Sequence, residues 1–447
     1  MNEKAAFPDA DETTPENSTA TSRTDIGDGL KEQSGEPPKQ ESPIPDTTSE
    51  IPNGGLKAWL QVLGSFLLFF NSWGIVNSFG VFQTYYESNL LSSQTPSQIS
   101  WIGSIPAFLL LLIGNITGPI YDTGHFRALI FSGAFLVTFG MMMTSICTKY
   151  WEVVLAQGIC VGLGSGCLFI PSVAIVSTYF STKKSFATGI AASGSSLGGI
   201  IYPIVFYKLQ PQIGFGWAVR VMGFMMFSTL LVALTVMTPR MRPTKKRALL
   251  EPRAFTEPPF LLFSLGIFVG FAGMYVPIFY IYSYATNATS TSENLSFYLL
   301  VILNAASIVG RILPNYIADK TGPMNILIPC TLISGILSFV WMGIDSTGGL
   351  IVFSILYGFF SGTMVSLPPT TIVSLSPNLG VVGTRTGMST SCAGLGLLVG
   401  TPVAGAILGQ SRWNAMQAFA GAIVLGGTAI LIGARISKTG FRLMEKA

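Results

Sequence analysis

The sequence predicts an all-α polytopic membrane protein with twelve transmembrane helices in two pseudo-repeated six-helix bundles. Three observations carry that reading. Charged residues make up only 10% of the 447 and apolar ones 49%, whereas a soluble domain carries about 25% charge. The mean hydropathy is +0.55, and the apolar residues fall into runs of about 20, the length that crosses a bilayer's hydrocarbon core. The second half also repeats the first. "IPSVAIVS" (170–177) matches "LPPTTIVS" (367–374), and "TGIAASGSSLG" (188–198) matches "TGMSTSCAGLG" (386–396). Asp122 and Asp319 each open a polar turn after a span, and all three pairs share an offset of 197 or 198 positions. A parallel duplication explains that register.

Residues 1–50 hold 12 of the 21 acids, four basic residues and no apolar run. Such a segment cannot bury enough apolar surface to fold, so it reads as a disordered acidic tail and as no signal peptide. The first bundle occupies 51–238, with helices near 57–86, 99–120, 126–147, 151–178, 186–207 and 216–238, set by apolar windows and by Gly and Pro breakers. A basic loop, 239–259, leads to the second bundle at 260–436. Its helices lie near 260–286, 295–317, 324–343, 348–375, 384–408 and 414–436, and a short tail of 437–447 follows.

With the acidic tail in the cytoplasm, the cytoplasmic connections hold sixteen of the folded part's cations, six of them in the 239–259 loop, and the opposite side holds four. Both termini are therefore expected in the cytoplasm, in the plasma membrane or alternatively the vacuolar or another internal membrane. The basic excess is topology and argues for no nucleic-acid partner; the partner implied is the lipid bilayer. Two glycosylation triplets, Asn287-Ala-Thr289 and Asn294-Leu-Ser296, fall in an expected outer loop.

The eighth span breaks the apolar pattern. At about 100° per residue, Asn304, Ser307, Arg311 and Asn315 fall within an arc of about 80° and form one polar stripe. An intramembrane Arg costs about 2.5–3.5 kcal/mol even on lenient insertion scales, so it should face a wet interior. The nine acids of 51–447 all lie at span ends or in loops, which leaves Arg311 without a mid-membrane carboxylate. Two readings follow. Its guanidinium forks onto an anionic solute, or it snorkels and stitches helices together. Asn71, Ser78 and Tyr85 recur at seven-residue spacing on the first helix. Tyr275, Phe279, Tyr282 and Thr286 share a face of the seventh, and Ser354, Tyr357 and Ser361 align on the tenth. Such stripes read either as helix packing or as the lining of a path for a flat or bulky organic solute.

"NGGLKAWLQVLGSF" (53–66), "YFSTKKSFATGIAASGSSLGG" (179–199) and "GRILPNYIADKTG" (310–322) together resemble the monocarboxylate porter family of the major facilitator superfamily, in its fungal branch. The resemblance implies the major facilitator fold and alternating-access transport of a small organic solute, with Arg311 as the substrate-linked arginine and helices 1, 4, 7 and 10 along the path. Candidate substrate residues are then Arg311, Asn304, Ser307, Asn71, Asn77, Ser78, Tyr275, Phe279, Tyr282 and Tyr357. It also implies a cytoplasmic gate, with Asp122 facing Arg385 and Asp319 facing Lys183 and Lys184. The other reading of the two Asp residues is turn capping. The chain departs from the animal members in carrying Ser307 where they have an Asp and Asn77 where they have a Lys, which puts lactate-type proton symport in doubt.

The five cysteines show no paired spacing and imply neither disulfide nor metal. No Walker sequence points to ATP, and no nucleophile–base pair points to an enzyme. No cofactor is expected, and a monomer suffices for the fold. The leading function is efflux of a carboxylate or aromatic fungal secondary metabolite. The alternatives are uptake of a monocarboxylate or vitamin-like acid, and a non-transporting membrane sensor.

Overall fold

The structure, a computed structural model, describes residues 53–180, 183–240, 248–377, 379–409 and 411–440, except for the side chains of residues 184, 185, 379 and 380. The acidic segment 1–50 and residues 441–447 of the expected C-terminal tail lie outside the described residues. Among the described residues the secondary structure is helical throughout, and eleven helices are long and apolar enough to cross a membrane. They are α1 (Leu56–Leu90), α2 (Pro96–Asp122), α3 (Phe126–Thr144) and α4 (Tyr150–Tyr179), then a 53-residue helix, Lys184–Val236. The second half supplies α7 (Pro258–Ala288), α8 (Glu293–Thr321), α9 (Pro323–Gly343), α10 (Thr347–Leu375), α11 (Leu379–Leu408) and α12 (Trp413–Thr439).

The long helix is two spans. Gly214 sits inside it at φ 78°, ψ 165°, a conformation that costs a Cβ-bearing residue but not glycine. The chain turns there, giving α5 (184–213) and α6 (215–236). Twelve spans result, with Leu56 and Thr439 at one end of the bundle. That end is called the terminal side below, and the opposite end the far side.

Local chemistry explains the ends. Thr95 opens α2 with a reciprocal capping box, accepting from the Gln98 N–H at 3.2 Å while its own N–H donates to Gln98 Oε1 at 2.8 Å, and Pro96 takes the first helical position. Ser346 caps α10 by accepting from Gly349 N–H at 3.2 Å. α10 is interrupted at Leu367, immediately before Pro368 and Pro369, because proline removes a backbone donor and crowds the preceding turn.

The two halves meet along α2 against α11 and α5 against α8. Within the second half, glycine brings helices close. A Cβ on Gly310 of α8 would stand 2.7 Å from the Phe359 carbonyl carbon of α10, so the helices pack backbone to backbone there. The acceptor triplets do not lie in a loop. Asn287 belongs to the last turn of α7 and Asn294 to the first turn of α8, because both helices run past the expected boundaries. Both side chains are exposed at the far side.

Candidate solute cavity

The stripe on α8 turns inward, as its polarity requires, and Asn304, Ser307, Arg311 and Asn315 are all buried. What Arg311 meets there is helix α5. Its Nε donates to Ser307 Oγ at 3.2 Å, and its Nη1 donates to the Ala192 carbonyl at 3.3 Å and to Ser195 Oγ at 2.5 Å. Among the described residues no carboxylate pairs with it and Nη2 has no protein acceptor. A cation buried without a counter-charge relies on such dipoles to offset its lost hydration. Asn315 extends the chain, donating to the Arg311 carbonyl at 2.5 Å and to Ser366 Oγ of α10 at 2.7 Å.

Five of the expected substrate residues converge on this part of α5. Asn77 of α1 donates to the Ser195 carbonyl at 3.4 Å, and the Tyr275 hydroxyl of α7 donates to Asn77 Oδ1 at 3.4 Å. Gly199 lies so close to Asn304 and Asn77 that a Cβ there would stand 2.8 Å from Asn304 Cγ and 2.9 Å from Asn77 Cβ. Asn77, Tyr275, Asn304, Ser307 and Arg311 thus form one polar layer between the halves.

The other five go elsewhere. Asn71 turns into the first half, accepting from the Tyr202 hydroxyl at 2.7 Å and donating to Thr229 Oγ1 at 3.0 Å. The reason is that seven-residue spacing puts it in register with Ser78 without accounting for α5 and α6 behind it. Ser78 bonds back to the Gly74 carbonyl at 2.7 Å. Phe279 packs on Phe79 at 5.0 Å between centroids, and Tyr357 donates to the Met274 carbonyl at 2.7 Å. Tyr282 lines a separate far-side pocket with Tyr85, Tyr207 and Glu293.

On the terminal side of the polar layer the halves leave a cavity that is partly open to solvent. Its walls are aromatic and aliphatic: Phe69 and Trp73 from α1, Phe169 and Val173 from α4, Ile267 and Phe271 from α7. Val365, Pro368 and Pro369 of α10 close one side, and Thr188, Ser366, Ser389 and Thr390 supply hydroxyls. Among the described residues none of those lining it is ionisable. The cavity touches the polar layer through Trp73, which stacks on Tyr275 at 6.1 Å, and through Ala192 and Ser366, which lie between it and the α8 stripe.

Sequence reasoning named none of these wall residues as substrate contacts. The signal was nevertheless present. Val173, Thr188, Ala192, Pro368, Pro369, Ser389, Thr390 and Ala393 all belong to the duplicated stretches 170–177, 188–198, 367–374 and 386–396.

The far side is closed across the halves. Ser97 Oγ of α2 donates to the Pro402 carbonyl of α11 at 2.9 Å, Ser283 Oγ of α7 donates to Glu87 Oε2 of α1 at 3.1 Å, and Ser100 bonds Tyr280. Tyr207 stacks on Phe297 at 4.2 Å.

The expected gate has different partners. Arg385, at the terminal end of α11, is 1% exposed and spends all five N–H groups elsewhere. Nε and Nη2 reach Glu251 at 3.0 and 3.1 Å, Nη1 and Nη2 reach Glu257 at 2.7 and 2.6 Å, and Nη1 also reaches the Leu375 carbonyl at 3.3 Å. No donor is left for Asp122, which lies buried at the end of α2. The acids that took its place come from the connection between the halves, whose fold could not be read from helix periodicity. The Arg385 guanidinium holds the Glu257 carboxyl below the usual carboxylate range. Asp319 and Lys183 are both exposed, with no ion pair between them among the described residues, and the Lys184 side chain lies outside the described residues.

A family model described as Major Facilitator Superfamily matches residues 61–382. The chain is 48% identical over 372 residues to the MFS-type transporter dbaD of Emericella nidulans, covering 83% of this chain and 84% of that protein. It is 40% identical over 417 residues to the MFS transporter asaE of Aspergillus flavus (91% and 93% covered). It is 36% identical over 388 residues to the Aspyridones efflux protein apdF of Emericella nidulans (86% and 79% covered). Among solved structures, a mutant of the peptide transporter POT superposes with a TM-score of 0.67 at 14% identity, covering 88% of this chain and 98% of that one, a likeness of fold. Twelve spans in two repeated halves around a mid-bundle cavity, and relatives of this similarity over most of their length, make the chain a member of the Major Facilitator Superfamily of membrane transporters.

Proposed function

We propose that this transporter exports a bulky, largely aromatic and uncharged metabolite by alternating access, with the cavity beneath Trp73 and Tyr275 as its solute site. The observation that carries the reading is the wall chemistry: aromatic rings and hydroxyls, with no ionisable group among the described residues. Burying a carboxylate there would forfeit its hydration with no cation on the wall to offset it. Rings stacked against Phe69, Phe169 and Phe271 gain from burial instead. The efflux named for the 36% identical relative points the same way. Both termini face the cytoplasm of a plasma-membrane monomer in this reading, on the strength of the cation asymmetry. The cavity then faces inward, the loading state of an exporter.

A carboxylate solute, as in the monocarboxylate porter branch, is the second reading, and the open Nη2 of Arg311 favours it. A bidentate grip would first have to displace Ser307 from Nε or α5 from Nη1. Counterflow in proteoliposomes separates the two. Efflux of a hydroxyanthraquinone with no flux of lactate or benzoate supports the first. Saturable carboxylate flux with no polycyclic transport would replace it with the second.

A further inference from the structure

The two residues that follow Ser389 on α11 satisfy their hydroxyls locally. Thr390 Oγ1 donates to the Thr386 carbonyl at 2.8 Å and Ser391 Oγ to the Gly387 carbonyl at 2.8 Å. This back-bonding to the preceding turn is the usual resting place of a helical Ser or Thr. Ser389 does otherwise. It is 1% exposed and lines the cavity, and its Oγ has no hydrogen-bond partner. Among the described residues it is the one buried, unpartnered hydroxyl in the cavity wall. A buried hydroxyl without a partner carries a desolvation cost that nothing offsets.

We propose that Ser389 is the specificity-determining contact of the cavity, hydrogen-bonding a carbonyl or hydroxyl oxygen carried on an otherwise apolar, ring-built solute. The proposal rests on the export reading and sharpens it. A hydroxyl can donate to a carbonyl or accept from a phenol, so one serine selects oxygenated polycycles over bare hydrocarbons without demanding charge. A site built to bond a substrate oxygen rejects the analogue that lacks it, since the wall hydroxyl then stays unpaired.

Binding of 2-hydroxyanthraquinone and of anthracene to the purified full chain in detergent tests this, alongside Ser389→Ala, Ser389→Thr and Phe271→Ala. Ser389→Ala should weaken 2-hydroxyanthraquinone by about five- to tenfold, the worth of one net hydrogen bond, and leave anthracene within a factor of two. Ser389→Thr, which keeps the hydroxyl, should restore most of the loss. Phe271→Ala should weaken both probes. Equal loss of both probes in Ser389→Ala would mean mere packing and overturn the proposal, as would no loss of either. If binding depends on Phe271 but not on Ser389, the cavity reading survives and this inference falls. If the wild-type chain binds neither probe, both fall together.

Discussion

Arg385 offers the sharpest test at the scale of a single side chain. Its two carboxylate partners make a doubly bidentate arrangement that an ammonium cannot copy, so Arg385→Lys should lose most of the clamp. The pH dependence has a definite sign. Glu257 is depressed by Arg385, so the folded state binds the Glu257 proton more weakly than the unfolded chain does. The stabilisation is fully present above the unfolded value of about 4.3 and is lost as pH falls through the lower folded value. Thermal melts of the wild type should therefore hold between pH 7 and 5 and drop below about pH 4. Arg385→Gln should melt lower at neutral pH and show a shallower acid limb. Equal acid limbs would refute the assignment.

Arg311 was legible from sequence as a buried cation without a carboxylate, because polarity at helical spacing needs no knowledge of neighbours. Its partners were not legible, since the Ala192 carbonyl carries no side-chain signature. Hydrogen bonds to charged groups contribute about 1.5–3 kcal/mol each. Arg311→Gln should thus lower the melting temperature by several degrees and slow turnover, because it unpins α8 from α5, while the affinity for an uncharged polycycle changes less than threefold. A large affinity loss with an unchanged melt would move Arg311 into the solute site.

Among the elements, α8 and α10 show how glycine placement decides packing. Gly310→Ala would drive a Cβ into the Phe359 backbone, and overpacking of this kind costs about 1–3 kcal/mol. Gly348, in the first turn of α10, has nothing within 4 Å of where a Cβ would stand and no unusual φ. Gly348→Ala should leave the melt within a degree, whereas Gly310→Ala lowers it clearly; equal effects would remove the close contact from the account. The spans themselves were readable because hydrophobic length is a local property. The α5–α6 turn was legible as a gap between apolar windows, and it turns on one glycine. The break in α10 at Leu367 had its signal in Pro368 and Pro369, although the span from 348 to 375 reads as one helix by hydrophobic length.

At the scale of the whole molecule, the far-side closure must open for release. A short thiol-reactive cross-linker joining Glu87→Cys to Ser283→Cys should hold the far side shut and reduce export to background, and reduction of the cross-link should restore it. Continued export with the link in place would exclude rocking about this contact. Cysteines placed within 248–257 should label only from the cytoplasmic face of intact cells; labelling from outside would invert the orientation. The two-fold repeat was plain in the sequence. The cavity it encloses was not, because lining is a property of which faces of seven helices meet, and the wall aromatics carry no mark that distinguishes them from lipid-facing ones such as Phe131 and Phe135.

The clamp on Arg385 also redraws where one half ends and the other begins. Thr384 Oγ1 donates to the Ala248 carbonyl at 2.6 Å and Glu251 N–H to Met388 Sδ at 3.2 Å, so 248–257 is fastened to α11. On the other flank, Thr238 N–H donates to Gln61 Oε1 at 2.8 Å and its carbonyl accepts from Tyr179 at 2.9 Å. Residues 241–247, which complete the connection between these two anchored flanks, lie outside the described residues. Cut within that connection, the pieces keep the anchors on both flanks and lose the high effective concentration that covalent linkage confers. Two separately expressed chains, 1–243 and 244–447, should therefore co-assemble in one membrane and export as the intact chain does, which makes this the natural place to split the carrier into a reconstitutable pair.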